Sequence, residues 1–570
     1  MPNNIKEISL EKNGDSSSLV ILVHGYYKEP SRLADVEEEI ITQLPNADIL
    51  RPIYDKGRFM NADPFELASN IEALIDETYS QSQTGNNGGY KKITLVGYSM
   101  GALLLRKAYV YGMGSTEDSP IGGTPAHDWV RRVDRVVLIA GTNRGWSLDE
   151  RPEDMNPVTY YFYRYVLAPI FRVLPYWRFL KSFERGSPFV ANLRVQWVRL
   201  IQKNPKQIAP VVQLLGSIDN LVSSKDDRDL YVHKDFIFIP VQGASHTTLI
   251  QFDDTVVGQR CRNKFIEALT DSISHLREKY KKEQHILQEL LDDSAKHIVF
   301  VLHGIRDTGG WTGDLRKEIE RVATNAKIPN PKVVTAKYDF FPMGPFLLLP
   351  IRQRHVRWFM DEYTERIATY PNPDSKVSFV GHSNGTYILA SALKQYKTMR
   401  IHRASFAGSV VPREYPWDQI IDEEGRLERL RNDLAASDWV VALFPKLFDQ
   451  WNIQDIGSGG FDGFNDDTGN EFEGRYYKGT HGAAIAPANH ESLAKFLLTG
   501  EIERNDKLMT DSQPLWLVVL SRASAVVWGL ILLGVFLLYY FSYRLLGFSL
   551  DLYLVWTIIS LIVLYVVTHF

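Results

Sequence analysis

The hydrophobic positions of this chain alternate between two styles. Short, largely apolar runs rich in Val, Ile and Phe recur: LVILV from Leu19, ITLV from Ile93, VVLIA from Val136, IVFVL from Ile298, VSFV from Val377 and ASFA from Ala404, each ending at a glycine or a polar turn. Between them lie longer stretches such as LADVEEEI, ALLLRKAYV and TYILASALK, in which apolar residues return every three or four places. Apolar runs of this length predict strands covered on both faces, and the spaced stretches predict helices packed over them. The expected fold class is therefore α/β, with mostly parallel sheets covered by helices.

The pattern is traversed twice. Each pass reads strand, His-Gly, helix, strand, Gly-x-Ser-x-Gly, helix, strand, and His24 precedes Ser99 by 75 residues where His303 precedes Ser383 by 80. Repetition at this scale predicts two copies of one α/β unit, over residues 15–275 and 297–500. The charged, helically spaced stretch between them contains little core material, so residues 276–296 are expected to form a helical linker.

The C-terminal end breaks the alternation. ASAVVWGLILLGVFLLYYFSY (523–543) and LDLYLVWTIISLIVLYVVTHF (550–570) flank the short RLLGFS, and Asp551 is the single acidic residue across both. Each run is long enough for a hydrocarbon layer of roughly 30 Å, so residues 514–570 are expected to form a transmembrane hairpin. The polar N-terminus MPNNIKEISLEKNGDSSS lacks the apolar core of a secretory signal, and the catalytic domains are expected on the cytoplasmic side.

Composition narrows this picture slightly. At 570 residues the chain exceeds one ordinary core, and a net charge of −4 gives no global attraction to nucleic acid. A lone cysteine, Cys261, excludes an intrachain disulfide.

The candidate chemistry sits at the two Gly-x-Ser-x-Gly turns. GYSMG (97–101) and GHSNG (381–385) each follow a strand and open a helix, the setting that projects a strained serine hydroxyl into the open. A serine nucleophile needs a base, and the base needs a carboxylate, which predicts an acid and then a histidine downstream. In the first half Asp219 ends a strand, ahead of Asp226, Asp227 and Asp229 in a charged loop, and His246 follows a further strand. In the second half Asp438 corresponds to Asp219, and matching KGTHGAAI to GASHTTLI selects His481 over His490. A calcium loop built from Asp462, Asp466 and Asp467 fails the required spacing.

Through VHGY, GYSMG, GTNRG and GSPFVANL the first half resembles the serine lipases and esterases of the α/β-hydrolase family, including membrane-associated lipid deacylases, and the second half resembles the same family. The resemblance implies two triads, Ser99–Asp219–His246 and Ser383–Asp438–His481. It also implies oxyanion holes made by the main-chain amides of Met100 with Tyr26 and of Asn384 with Ile305. No metal or cofactor is implied. The second half departs from the plain pattern in Asn384 after the serine and in GSVVPRE where the first half has GTNRG. An insertion over about 142–209, dense in aromatic and basic residues, is where the family carries a lid. Its aromatic residues suit either a lipid headgroup boundary or a domain core.

The expected function is a membrane-anchored serine hydrolase of carboxylic esters, most plausibly a lipase or phospholipase type of acyl hydrolase on membrane lipids. The alternatives are a thioesterase or amidase that deacylates lipidated molecules, and a non-catalytic membrane scaffold. The expected partners are a lipid or acyl-ester substrate and a membrane, with no nucleic acid.

Overall fold

The computed structural model describes residues 5–11, 16–25, 30–54, 62–84, 89–119, 123–147, 178–218, 236–282, 291–305, 310–336, 346–451, 455–465, 474–503, 505–546, 557 and 560. The chain divides into two compact units. The first comprises Met1–Asp293, Arg357–Pro373 and Tyr396–Thr398; the second comprises Ser294–Val356, Asp374–Gln395 and Met399–Phe570.

The first unit is built on a seven-stranded sheet in the order β1-β3-β2-β4-β5-β6-β7. Its strands are β1 (Ile5–Glu11), β2 (Ser18–Val23), β3 (Ala47–Tyr54), β4 (Lys92–Tyr98), β5 (Val133–Ile139), β6 (Val211–Gly216) and β7 (Phe236–Val241). All neighbours run parallel except β1, which pairs antiparallel with β3 at the edge. The helices that cover it are α1 (Ala34–Gln43), α2 (Pro64–Gln83), α3 (Met100–Gly112), α4 (Pro188–Lys203) and α5 (Val256–Thr270). Alternate strand residues serve opposite faces. Leu19, Ile21, Val23 and Leu95 pack with α2, α3 and α4 through Ile71, Leu104 and Leu193, whereas Val20, Leu22 and Val96 pack with α1 and α5 through Ile40 and Phe265. Sequence punctuation sets the helix starts: Asp63 caps α2 by accepting from the Phe65 amide at 3.0 Å, with Pro64 in the first turn.

The second unit holds a five-stranded, wholly parallel sheet in the order β12-β11-β10-β8-β9. The strands are β8 (His297–Leu302), β9 (Lys332–Ala336), β10 (Lys376–His382), β11 (Ile401–Ala407) and β12 (Leu427–Asp433). Its helices are α6 (Gly310–Asn325), α7 (Leu349–Thr369, counted with the first unit from Arg357 onward), α8 (Asn384–Gln395), α9 (Trp439–Leu443), α10 (Pro445–Trp451) and α11 (His490–Thr499). Val299, Val301 and Val380 pack on α6 and α11 through Leu315, Ile319, Leu493 and Leu497.

Within each unit one order recurs. β3-β2-β4-β5-β6 in the first sheet and β9-β8-β10-β11-β12 in the second are the same permutation of chain order. The direction of winding reverses between β2 and β4 in one and between β8 and β10 in the other. In open parallel sheets such a reversal leaves a crevice beyond the strands' C-terminal ends. Both His-Gly loops and both serine turns arise at those ends.

The expected transmembrane hairpin is not found: among the described residues no helix is long and apolar enough to cross a membrane. The described part of 514–570 forms α12 (Leu515–Arg522) and α13 (Ser524–Leu546), and almost all of 550–570 lies outside the described residues. Several apolar side chains here are exposed, Leu515, Trp516, Val526, Leu530 and Phe536 among them.

Candidate active site

Each serine occupies a turn that only small neighbours permit. Ser99 has φ 55° and Ser383 has φ 52°, left-handed values that carry strain in a residue with a side chain. A Cβ on Gly97 would lie 2.7 Å from Ala102 Cα, and one on Gly101 would lie 2.4 Å from the His24 carbonyl oxygen. The glycines thus let α3 start directly beneath β4 and against the loop after β2. In the second unit a Cβ on Gly385 would stand 2.8 Å from the Leu302 carbonyl oxygen, the matching approach.

In the first unit His246 Nε2 lies 2.9 Å from Ser99 Oγ, and both residues are buried. The two come from the ends of β4 and β7, brought together although 147 residues separate them. An imidazole so placed can accept the hydroxyl proton. Asp219, its rivals Asp226, Asp227 and Asp229, and Tyr26 of the expected oxyanion hole lie outside the described residues. Met100 opens α3, so its amide is among the first-turn N–H groups that have no acceptor within the helix.

The sequence reading missed the residue that fixes the His-Gly loop. Tyr54, at the end of β3, stacks on His24 with ring centroids 3.9 Å apart and donates its hydroxyl to the His24 carbonyl. Burial pushes its phenol far above the ordinary range, so it stays a donor. Its only signal in the sequence is an aromatic residue closing an apolar strand.

In the second unit the complementary contact is formed. His481 Nδ1 lies 2.9 Å from Asp438 Oδ2, and Asp438 is fully buried. The other carboxylate oxygen accepts from the Val441 amide at 3.0 Å, so the acid also caps α9. A Cβ on Gly408, where φ is 54°, would fall 2.6 Å from His481 Cε1. No hydrogen bond joins Ser383 to His481 among the described residues. His490 is turned elsewhere, bonding through Nε2 to the Ile485 carbonyl at 2.9 Å at the start of α11. Ile305 follows β8, and Asn384, fully buried, opens α8. Asp462 is engaged by Lys446 and by Ser458, while Asp466 and Asp467 lie outside the described residues.

A polar network holds the GTNRG turn of the first unit. Arg106 donates to Asn143 Oδ1 at 3.0 Å, and the Asn143 amide reaches Gln213. Arg144 makes a two-pronged contact with Asp361 at 3.0 and 2.7 Å and also meets Glu365 at 2.7 Å. Arg194 approaches the same Asp361 at 2.5 Å. Burial by itself would raise the Asp361 carboxyl, but the guanidinium charges of Arg194, Arg144 and Arg185 together with the Arg144 hydrogen bond outweigh it and hold the group below its ordinary range.

Of the insertion over 142–209, residues 148–177 lie outside the described set. The part that follows is core: Phe179, Phe183 and Phe189 are buried and meet edge to face at 5.0 and 5.1 Å. Among the described residues one group could hold a metal ion, Glu72, Asp76 and His127, and it contains none of the triad candidates.

Comparison with known proteins gives a family match to part of the first unit and several similar solved structures. Residues 85–160, which run from before β4 through β5, match the family model of the class 2 lipases. No curated protein matches the chain. An esterase of Pyrococcus furiosus matches at 17% identity over 45% of this chain and 84% of that one, with a TM-score of 0.29. A lipase of Bacillus licheniformis matches at 14% identity over 47% and 100%, with a TM-score of 0.30. The phospholipase PlaB of Legionella pneumophila matches at 11% identity over 48% and 63%, with a TM-score of 0.32. The segment around Ser99 is thus similar in sequence to the class 2 lipases, and the architecture is α/β, parallel sheets covered by helices with a strained serine turn in each unit.

Proposed function

We propose that the chain is a serine hydrolase of carboxylic esters acting on membrane lipids, with Ser99 as nucleophile and His246 as base. The observation that carries this reading is the 2.9 Å contact between His246 Nε2 and Ser99 Oγ at a left-handed serine turn. His246 takes the hydroxyl proton as Ser99 Oγ attacks the ester carbonyl carbon. The carbon–oxygen bond to the alcohol then breaks, and the imidazolium returns its proton to the leaving oxygen. Water, deprotonated by the same imidazole, releases the fatty acid and restores Ser99. The developing oxyanion is held by the amides of Met100 and Tyr26, and Asp219 completes the triad.

The second unit is proposed as a second copy of the same machine over residues 297–500, with Ser383, Asp438 and His481. Its shared strand order and the buried His481–Asp438 pair support that reading. Membrane association is proposed for the C-terminal segment, supported by the exposed Leu515, Trp516, Val526, Leu530 and Phe536 together with the exposed Trp439 and Trp451 on neighbouring helices.

Treatment of the full chain with a fluorophosphonate probe tests the proposal. Covalent labelling at Ser99 that disappears in Ser99→Ala is expected, and lipid profiles of cells expressing the two forms identify the substrate. Labelling of the first unit that survives Ser99→Ala overturns the nucleophile assignment.

A further inference from the structure

The residue immediately before each serine performs the same task with different chemistry. In the first unit the Tyr98 hydroxyl donates to the main-chain carbonyl of His246 at 3.2 Å, with ring centroids 5.6 Å apart. In the second unit His382 Nε2 lies 3.4 Å from the main-chain carbonyl of His481, with ring centroids 4.7 Å apart. A carbonyl oxygen can only accept, so His382 presents its Nε2–H. The same two side chains also lie against the His-Gly loop. A Cβ added to Gly25 would lie 3.3 Å from Tyr98 Cδ1, and one added to Gly304 would lie 3.0 Å from His382 Nδ1. Tyr98 and His382 are both buried.

We propose that the residue preceding the serine, Tyr98 or His382, is a positioning residue that clamps the main chain of the base to the serine turn and the His-Gly loop. The inference rests on the hydrolase reading above. The logic is geometric. Serine, base and oxyanion donors arise from three separate strand ends, and a proton transfer tolerates little error in their spacing. A side chain fixed on β4 or β10, one residue before the nucleophile, can bond the base's own carbonyl and pack on the third loop. It therefore sets all three relative to one another. Neither tyrosine nor histidine is required as such; what is required is a rigid ring with a donor at its far edge.

The test exchanges the two solutions. Tyr98→Phe keeps the ring and removes the donor, Tyr98→His imports the second unit's donor, and Tyr98→Leu removes both. On the full chain, Tyr98→Phe and Tyr98→Leu are expected to lower kcat and the fluorophosphonate labelling rate at Ser99 about tenfold or more with KM unchanged, and Tyr98→His to recover most of the loss. Wild-type labelling by Tyr98→Phe, or a Tyr98→His variant as slow as Tyr98→Leu, overturns the proposal. A second measurement is independent of turnover. Amide hydrogen exchange across Ser245–Thr248 should accelerate in Tyr98→Phe and stay unchanged in Ser99→Ala. Equal exchange in all three proteins overturns the clamp even where labelling falls, whereas a wild-type chain that never labels at Ser99 yet shows this exchange pattern refutes the hydrolase reading alone.

Discussion

His246 Nε2 meets Ser99 Oγ at 2.9 Å, while in the second unit it is His481 and Asp438 that meet, also at 2.9 Å. Each unit thus displays one contact of the triad proposed for it. The first predicted outcome concerns the second unit. Asp438→Asn preserves the side-chain shape but presents an amide, which disfavours the tautomer that accepts from serine. Labelling at Ser383 should fall on the order of 10³-fold or more, with circular dichroism unchanged. An unaltered labelling rate in that variant removes Asp438 from the site.

Gly101→Ala tests the close approach under the serine turn. The new Cβ would sit 2.4 Å from the His24 carbonyl oxygen and 2.5 Å from that of Val23, both main-chain atoms that cannot rotate away. A loss of about 1–3 kcal/mol in urea-unfolding free energy is expected, together with loss of Ser99 labelling. Unchanged stability and labelling would mean that β2 and α3 leave room for a methyl group at this crossing.

Tyr54→Phe removes the hydroxyl that ties down the His24 carbonyl while keeping the stacked ring. The expected cost is about 1 kcal/mol in stability, with kcat lowered more than KM is raised, because the loop that would supply an oxyanion donor loses its anchor. Steady-state kinetics on a short-chain ester checks the split.

Asp361 accepts from Arg144 and from Arg194 in a largely buried setting. Asp361→Asn leaves two guanidinium charges without their shared counter-charge, and a destabilisation of about 3–5 kcal/mol is expected by denaturant titration. Replacing Glu365, the outer partner of Arg144, by Gln should cost less.

Acid sensitivity follows from His297. Burial foremost, then the neighbouring charges of His402, Arg403 and Lys376, push its imidazole down to about 3. In the unfolded chain it titrates near its ordinary value of about 6.5, so between those values the unfolded state binds a proton that the folded state refuses. The contribution is fully present above about pH 6.5 and is lost as pH falls toward 3, at up to about 1.4 kcal/mol per unit. Urea midpoints of the second unit measured from pH 7.5 to 4.5 should decline, and His297→Gln should flatten the slope.

Strands and serine turns were legible because each rests on local pattern: apolar runs for β2, β4, β8 and β10, and glycine spacing for the elbows. His481 was preferred to His490 by aligning one half with the other, and in the structure it is His481 that lies 2.9 Å from Asp438. What escaped was long-range. Tyr54 reaches His24 across 30 residues and Arg144 reaches Asp361 across 217, and nothing in a single sequence says which buried arginine meets which acid. β1 was also missed, since IKEISLE, with apolar residues only at Ile5, Ile8 and Leu10, is too polar to announce an edge strand by itself. Phe179 and its neighbours read equally well as lid or core, and burial decides for core.

The C-terminal helices do more than trail from the second unit. Trp528 Nε1 donates to the Leu443 carbonyl at 3.0 Å, its ring meets Phe444 edge to face at 5.6 Å, and Ser524 donates to Gln450 at 2.8 Å. Leu443 ends the short helix that Asp438 caps, so the tail grips the very segment bearing that carboxylate. Truncation near residue 514 would remove these bonds and loosen the short helix on which that carboxylate is held.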